Sequence, residues 1–239
     1  MPDALPVLLL TRPHAASERF AARLRQDGLQ FRSVISPLFT VEVTGPLPDV
    51  SRARGLIFTS ANGVMAWQAL GGRTDLPVLA VGPATARAAE AAGMRAQDGG
   101  GSAEELIRHI LAGRPAAPLV HLHGTHVRGD IAARLSAAGI PCTGAAIYDQ
   151  PPCPLNAEAR AALCGQVPVV APVFSPRTGE LLAKECAKAP LLVAAMSQAV
   201  VNALSPLHKR NLKVAQRPES EAMREVVSDL LNRALAGDY

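Results

Sequence analysis

The feature that most constrains this chain is a strand-and-turn design that occurs twice. Gly55-Leu56-Ile57-Phe58 is an apolar run that stops at the small polar residues Thr59, Ser60, Ala61, Asn62 and Gly63. The run reads as a buried strand. Ser60 and Asn62 then read as caps of a helix that continues through Val64, Met65, Trp67 and Leu70 to the Gly71-Gly72 break. Val173-Phe174-Ser175-Pro176 repeats the design about 115 residues later. In an open parallel sheet, ligands sit beyond the carboxyl ends of strands and face helix N-termini. Thr59, Ser60, Asn62, Gly63 and Ser175 therefore stand where a ligand would meet hydroxyls, an amide and free backbone N–H groups. Ser60 and Asn62 are equally readable as plain helix caps, worth about 1 kcal/mol.

Taken in order, the chain alternates short apolar strands with helical segments, the pattern of a parallel α/β fold. Leu5–Leu10 is a strand ending at Thr11-Arg12-Pro13, followed by a helix from His14 to Asp27 that Gly28 stops. Arg12 at this strand end can grip a carboxylate bidentately; the competing reading is a surface ion pair with Glu18. Residues 36–43 break the rhythm, since Pro37 forbids helix and Phe39, Val41 and Val43 alternate. Gly144–Gln150 is a second extended piece, ending at Pro151-Pro152. Two such strands around a complete α/β series predict a two-stranded link between domains. The halves also agree in order of parts: Phe58-Thr59-Ser60 matches Phe174-Ser175-Pro176, and Pro77–Val81 matches Pro190–Ala194. The first strand and helix complete a set only by joining the last segment. The expected domains are thus 1–36 with 152–239, and an inserted 44–143, with connectors at 37–43 and 144–151.

Three further turns offer ligand contacts. Gly82-Pro83-Ala84-Thr85 follows a strand, and there Gly82 permits close backbone approach while Thr85 supplies a hydroxyl. Gly99-Gly100-Gly101 precedes Ser102, whose spacing to Glu105 makes a capping box; the loop reads equally as an anion cradle or as a plain flexible turn. Leu119–His123 is a strand, Gly124 opens the next turn, and Arg128 lies in or before the following helix. His121, His123 and His126 suggest a metal cluster, but no acidic or cysteine partner stands at useful spacing. Neutral histidines are the better reading.

Aromatic residues make up only 3% of the 239, too few for base stacking along single-stranded nucleic acid. A net charge of +4 without any Lys/Arg block favours a small polyanion over a duplex. Cys142, Cys153, Cys164 and Cys186 are scattered, which points to a reduced chain without structural disulfides or zinc. No apolar run approaches a membrane span, and the N-terminus lacks a signal pattern. The expectation is a soluble, cytoplasmic monomer with no nucleic-acid or membrane partner.

The ordered set of Thr11-Arg12-Pro13, Phe58–Val64, Val81–Ala86, Ile147-Tyr148, Phe174-Ser175-Pro176 and Val214-Ala215 ahead of Pro218 resembles the uroporphyrinogen-III synthase family. The resemblance covers nearly the whole chain. It departs where a second Gly-x-x-Thr turn is usual and Ala195-Met196-Ser197-Gln198 stands instead, with Ser197 keeping a hydroxyl nearby. The implied fold is α/β, with two similar flavodoxin-like parallel-sheet domains joined by a two-stranded extended connector. The implied reaction closes linear hydroxymethylbilane, a small-molecule polycarboxylate, into uroporphyrinogen III, with loss of water and inversion of the last pyrrole ring, in a cleft between two domains. No metal or organic cofactor is implied. Tyr148 is the candidate for assisting departure of the hydroxyl, or else packs an apolar ring. The substrate-binding candidates are Arg12, Thr59, Ser60, Asn62, Gly63, Gly82, Thr85, Ser102, Gly124, Arg128, Ser175 and Ser197. Two other classes remain: a non-catalytic small-anion sensor of the same fold, and a nucleotide enzyme, although Gly82–Thr85 is neither a dinucleotide fingerprint nor a P-loop.

Overall fold

Eleven strands and nine helices lie along the described residues, alternating except for one run of three strands. A computed structural model describes residues 5–126, 129–205 and 207–239. The elements are β1 (Val7–Leu10), α1 (His14–Gln26), β2 (Arg32–Ile35), β3 (Glu42–Val43), β4 (Gly55–Phe58), α2 (Ala61–Ala69), β5 (Val78–Ala80) and α3 (Pro83–Ala91). Next come β6 (Ala96–Asp98), α4 (Ala103–Gly113), β7 (Leu119–Gly124), α5 (Ile131–Ala137), β8 (Cys142–Asp149) and α6 (Ala157–Cys164). The chain ends with β9 (Val169–Val173), α7 (Pro176–Leu182), β10 (Leu191–Ala195), α8 (Gln198–Ala203), β11 (Asn211–Val214) and α9 (Ser220–Ala236). They fall into two compact units: the described residues up to Thr40 with Pro152–Tyr239, and Val41–Pro151.

The first unit holds a parallel sheet in the order β11-β10-β9-β1-β2. Its three central strands, β1, β9 and β10, are buried throughout because helices cover both faces of the sheet. Val7 and Leu9 pack into one buried cluster with Leu155, Leu163, Val200 and Leu204, while Leu8 and Leu10 pack on the other face with Phe20, Leu24, Met223 and Leu230. Pro172 sits inside β9, where it can donate no ladder hydrogen bond. The β1–β9 pairing accordingly runs only through Val7↔Val169 and Leu8↔Val170.

The second unit holds the order β3-β8-β7-β4-β5-β6, parallel except for β3. Leu56 and Phe58 face a cluster with Val64, Trp67 and Tyr148, whereas Ile57 faces Leu106, Ile110 and Leu135. The indole of Trp67 is fully buried and donates from Nε1 to the Arg73 carbonyl at 3.0 Å. Apart from β3 the two sheets share one spatial order, so that β4, β5 and β6 occupy the places of β9, β10 and β11, and β7 and β8 those of β1 and β2.

The ladders correct how the repeat aligns. Phe58 pairs Ala80 as Val173 pairs Ala195, so Phe58 corresponds to Val173 and not to Phe174. Ser60 then corresponds to Ser175, each capping its helix. Ser197 caps α8 as Gly82 caps α3, which places buried Val200 in the position of Thr85. Residue type misled the alignment because ladder register, not side-chain identity, fixes equivalence.

Within the extended pieces, Glu42↔Asp149 and Val43↔Tyr148 pair antiparallel, with an isolated bridge at Phe39↔Pro152. Residues 144–146, read above as connector, lie instead in the parallel ladder of β8 with β7. Two ends also shift: β1 begins at Val7, not Leu5, and α1 stops at Gln26, one residue short of Asp27.

Candidate functional site

In the second unit the ends of β4, β7 and β8 bring one aromatic side chain and several small residues together. Ser60 stands in extended backbone at the N-cap of α2, and its Oγ accepts the Asn62 N–H at 3.1 Å. Tyr148 is only 6% exposed. Its ring occupies a slot that exists because residue 124 has no side chain: a Cβ on Gly124 would lie 2.7–2.8 Å from ring carbons and 3.2 Å from the phenol oxygen. On the other edge, a Cβ on Gly63 would come to 3.7 Å from the ring and 3.1 Å from Phe58. Gly63 and Gly124 therefore shape the tyrosine pocket. Burial pushes the phenol pKa up, while hydrogen bonding to the Ser60 side chain and the Gly124 backbone pulls partly against it. The result is a protonated phenol whose conjugate base already has two partners.

Also in this unit, Thr59 Oγ1 lies 3.4 Å from His121 Nε2. His121 is 1% exposed, and its pKa is held down to about 4, first by burial and then by His123, against a small opposing effect of Asp130. The two imidazoles are tilted at 45° with centroids 4.8 Å apart. Among the described residues no group of three or more His, Cys, Asp or Glu side chains is placed to hold a metal.

The remaining turns of this unit are occupied by the protein itself. Gly82 approaches Gly101, whose Cα would lie 3.2 Å from a Cβ on Gly82. The Gly99 N–H bonds the Ala80 carbonyl at 2.8 Å, and the Gly101 N–H bonds that of Val81 at 2.6 Å. Gly100 and Gly101 have φ of 106° and 109°, which favours glycine there. Ser102 completes the capping box, accepting the Glu105 N–H at 3.2 Å and donating to its carboxylate at 2.8 Å. That carboxylate sets a negative charge at the loop, an unsuitable cradle for an anion. Thr85 is buried at 5% exposure. Arg128 lies outside the described residues.

In the first unit, Arg12 does not pair with Glu18, which lies instead 3.5 Å from His14. Its guanidinium stacks 4.3 Å from the centroid of Phe174, and Phe174 meets Phe20 edge-on at 5.4 Å. Burial and the charge of Arg19 both lower the Arg12 pKa. Among the described residues Arg12 makes no ion pair, so a half-buried cation is held ready on an aromatic face. Next to it the buried Thr11 hydroxyl has no hydrogen-bond partner among the described residues. Ser175 caps α7, accepting the Thr178 N–H at 3.2 Å and sharing a 2.9 Å contact with the Thr178 hydroxyl. Ser197 caps α8 by backbone position alone, with no side-chain bond to the helix.

The family model described as HEM4, uroporphyrinogen-III synthase HemD, matches residues 18–225. The chain belongs to the uroporphyrinogen-III synthase family. Its fold is also that of the Helicobacter pylori uroporphyrinogen-III synthetase, at 14% identity and a TM-score of 0.67, over 95% of this chain and 99% of that one. A mutant uroporphyrinogen III synthase from Thermus thermophilus matches at 15% identity and a TM-score of 0.49, over 98% and 100%. Among curated proteins none matches. Uroporphyrinogen-III synthases cyclise hydroxymethylbilane, and this is the reaction of this chain.

For a synthase of this kind, sequence reasoning named the helix caps and Tyr148 but missed their relations. The Phe174 platform under Arg12, the Thr59–His121 contact and the glycine slot all join residues distant in sequence. Only strand order brings them together, and one sequence does not display it.

Proposed function

We propose that Tyr148 is the acid of the cyclisation and that strand-end turns hold the substrate by its carboxylates. The observation that carries this reading is the Tyr148 slot: a buried, protonated phenol flanked by two groups that stabilise its anion. When the C–O bond of the hydroxymethyl group breaks, the electron pair on the pyrrole nitrogen replaces it. The phenol proton goes to the departing oxygen, so water leaves instead of hydroxide. Ser60 and the Gly124 backbone hold the phenolate until the proton lost by the pyrrole nitrogen restores it.

Arg12 on Phe174 supports a carboxylate contact worth about 1.5–3 kcal/mol before desolvation. The helix N-termini after Ser60 and Ser175 add about 0.3–1 kcal/mol each. In this reading Ser102 and Gly82 serve the structure of their loops, because both already have protein partners. The fold accompanying the proposal is a pair of similar flavodoxin-like domains joined by the antiparallel β3–β8 piece. The shared strand order 2-1-3-4-5, read in the second sheet from β7, supports it.

The test is turnover of freshly generated hydroxymethylbilane by Tyr148→Phe. The expected loss is about 10–100-fold, at or below the lower end of the range for general-acid assistance. Unchanged turnover would remove Tyr148 from the chemistry.

A further inference from the structure

Beside β7 and the start of α5 lies a groove of about 640 Å³, lined among others by His121, His123, Gly129, Asp130, Ala132 and Gly144. Two of the polar side chains here, His123 and Asp130, offer acceptors. His123 Nδ1 contacts the Gly124 carbonyl at 2.8 Å; a carbonyl only accepts, so the proton is on Nδ1. In the neutral ring Nε2 then carries a free lone pair. Room beside Nε2 depends on Gly144, where a Cβ would stand 3.0 Å from that nitrogen. Asp130 uses Oδ1 to accept the Ala133 N–H at 2.9 Å, which leaves its other oxygen and further lone pairs. His121 adds no charge, and no Lys or Arg is among the described lining residues.

Among the described lining residues the groove carries one negative charge and lone-pair acceptors, which disfavour a carboxylate arm and suit a hydrogen-bond donor. Hydroxymethylbilane presents both kinds of group: eight carboxylates that accept and pyrrole N–H groups that donate. We propose that this groove binds a pyrrole N–H edge of the substrate, with Asp130 and His123 Nε2 as the acceptors, and receives none of the carboxylates. The inference rests on the family's reaction and names two specificity-determining residues for it.

The test uses two unreactive bilanes that keep all eight carboxylates: one with methyl in place of hydroxymethyl, and its counterpart methylated on the pyrrole nitrogens. The wild-type protein is expected to bind the first about 10–100-fold more tightly, the cost of losing one or two hydrogen bonds to such acceptors. Asp130→Asn keeps the helix cap, since Asn caps as well as Asp, and removes the charge. His123→Phe keeps a ring and removes the acceptor. Each is expected to narrow the preference by about threefold to tenfold. A preference unchanged in both variants, or an equal weakening of both bilanes, would overturn the inference. Should the wild-type protein fail to convert hydroxymethylbilane, the family reading itself fails; turnover with an untouched preference would sink this inference alone.

Discussion

At the scale of residues, absent side chains do much of the positioning. Gly124→Ala would drive a methyl group to within 2.7–2.8 Å of the Tyr148 ring. Because the ring is buried and cannot yield freely, the variant is expected to lose about 1–3 kcal/mol of stability. Turnover should fall at least as far as in Tyr148→Phe. Urea unfolding beside initial rates checks both, and a stable, fully active variant would show that the slot is looser than described. His121 gives a second prediction. Its pKa is about 4 when folded, against 6.5 as the ordinary value. Between these the unfolded chain binds the additional proton, so stability falls as pH drops through that window, by on the order of 3 kcal/mol in all. Above the window this group contributes no slope. Unfolding midpoints of His121→Leu measured from pH 7 to 4.5 should lack that part of the decline. The sequence placed His121 and His123 on one strand, but it did not show that His121 is buried against Thr59 or that both line a groove.

At the scale of elements, helix caps were legible and strand register was not. A cap is local chemistry: Ser60, Ser102 and Ser175 each accept an N–H two or three residues on, and nearby residues suffice to predict it. Register depends on which strands neighbour one another, so matching by residue type placed Phe174 opposite Phe58 although the ladders align Val173 there. The triple-glycine loop shows the same limit. Its composition fits an anion cradle, yet its three backbone N–H groups are spent on the carbonyls of Ala80 and Val81 and on the Asp98 carboxylate, and its mouth faces Glu105. Gly99→Ala would bring a Cβ to 2.5 Å from Leu106 Cδ1 and 2.9 Å from the Ala80 carbonyl. We expect it to destabilise by about 1–3 kcal/mol while leaving KM nearly unchanged. A raised KM with unaltered stability would return the loop to the binding site.

At the scale of the whole molecule, one strand order appears twice and the family assignment spans residues 18–225. The repeat was legible because each copy carries its own strand-end serine; the pairing of the first strands with the last followed from counting what each set lacked. A mild net charge of +4 suits attraction of an eight-fold carboxylate without fixing its pose. Specificity is the harder task, since hydroxymethylbilane closes unaided to the wrong isomer. Our central claim is that many modest contacts hold the chain for the correct closure, and that no single side chain is indispensable. The direct measurement is the rate of type-III isomer formation, resolved from type I, for Tyr148→Phe, Ser60→Ala and Arg12→Ala beside the wild type. The account predicts losses of about 10–100-fold for the tyrosine and at most about tenfold for the serine, with the arginine variant mainly raising KM, most at low salt. Complete loss of type-III product in any one of these variants, with its fold intact, would contradict it.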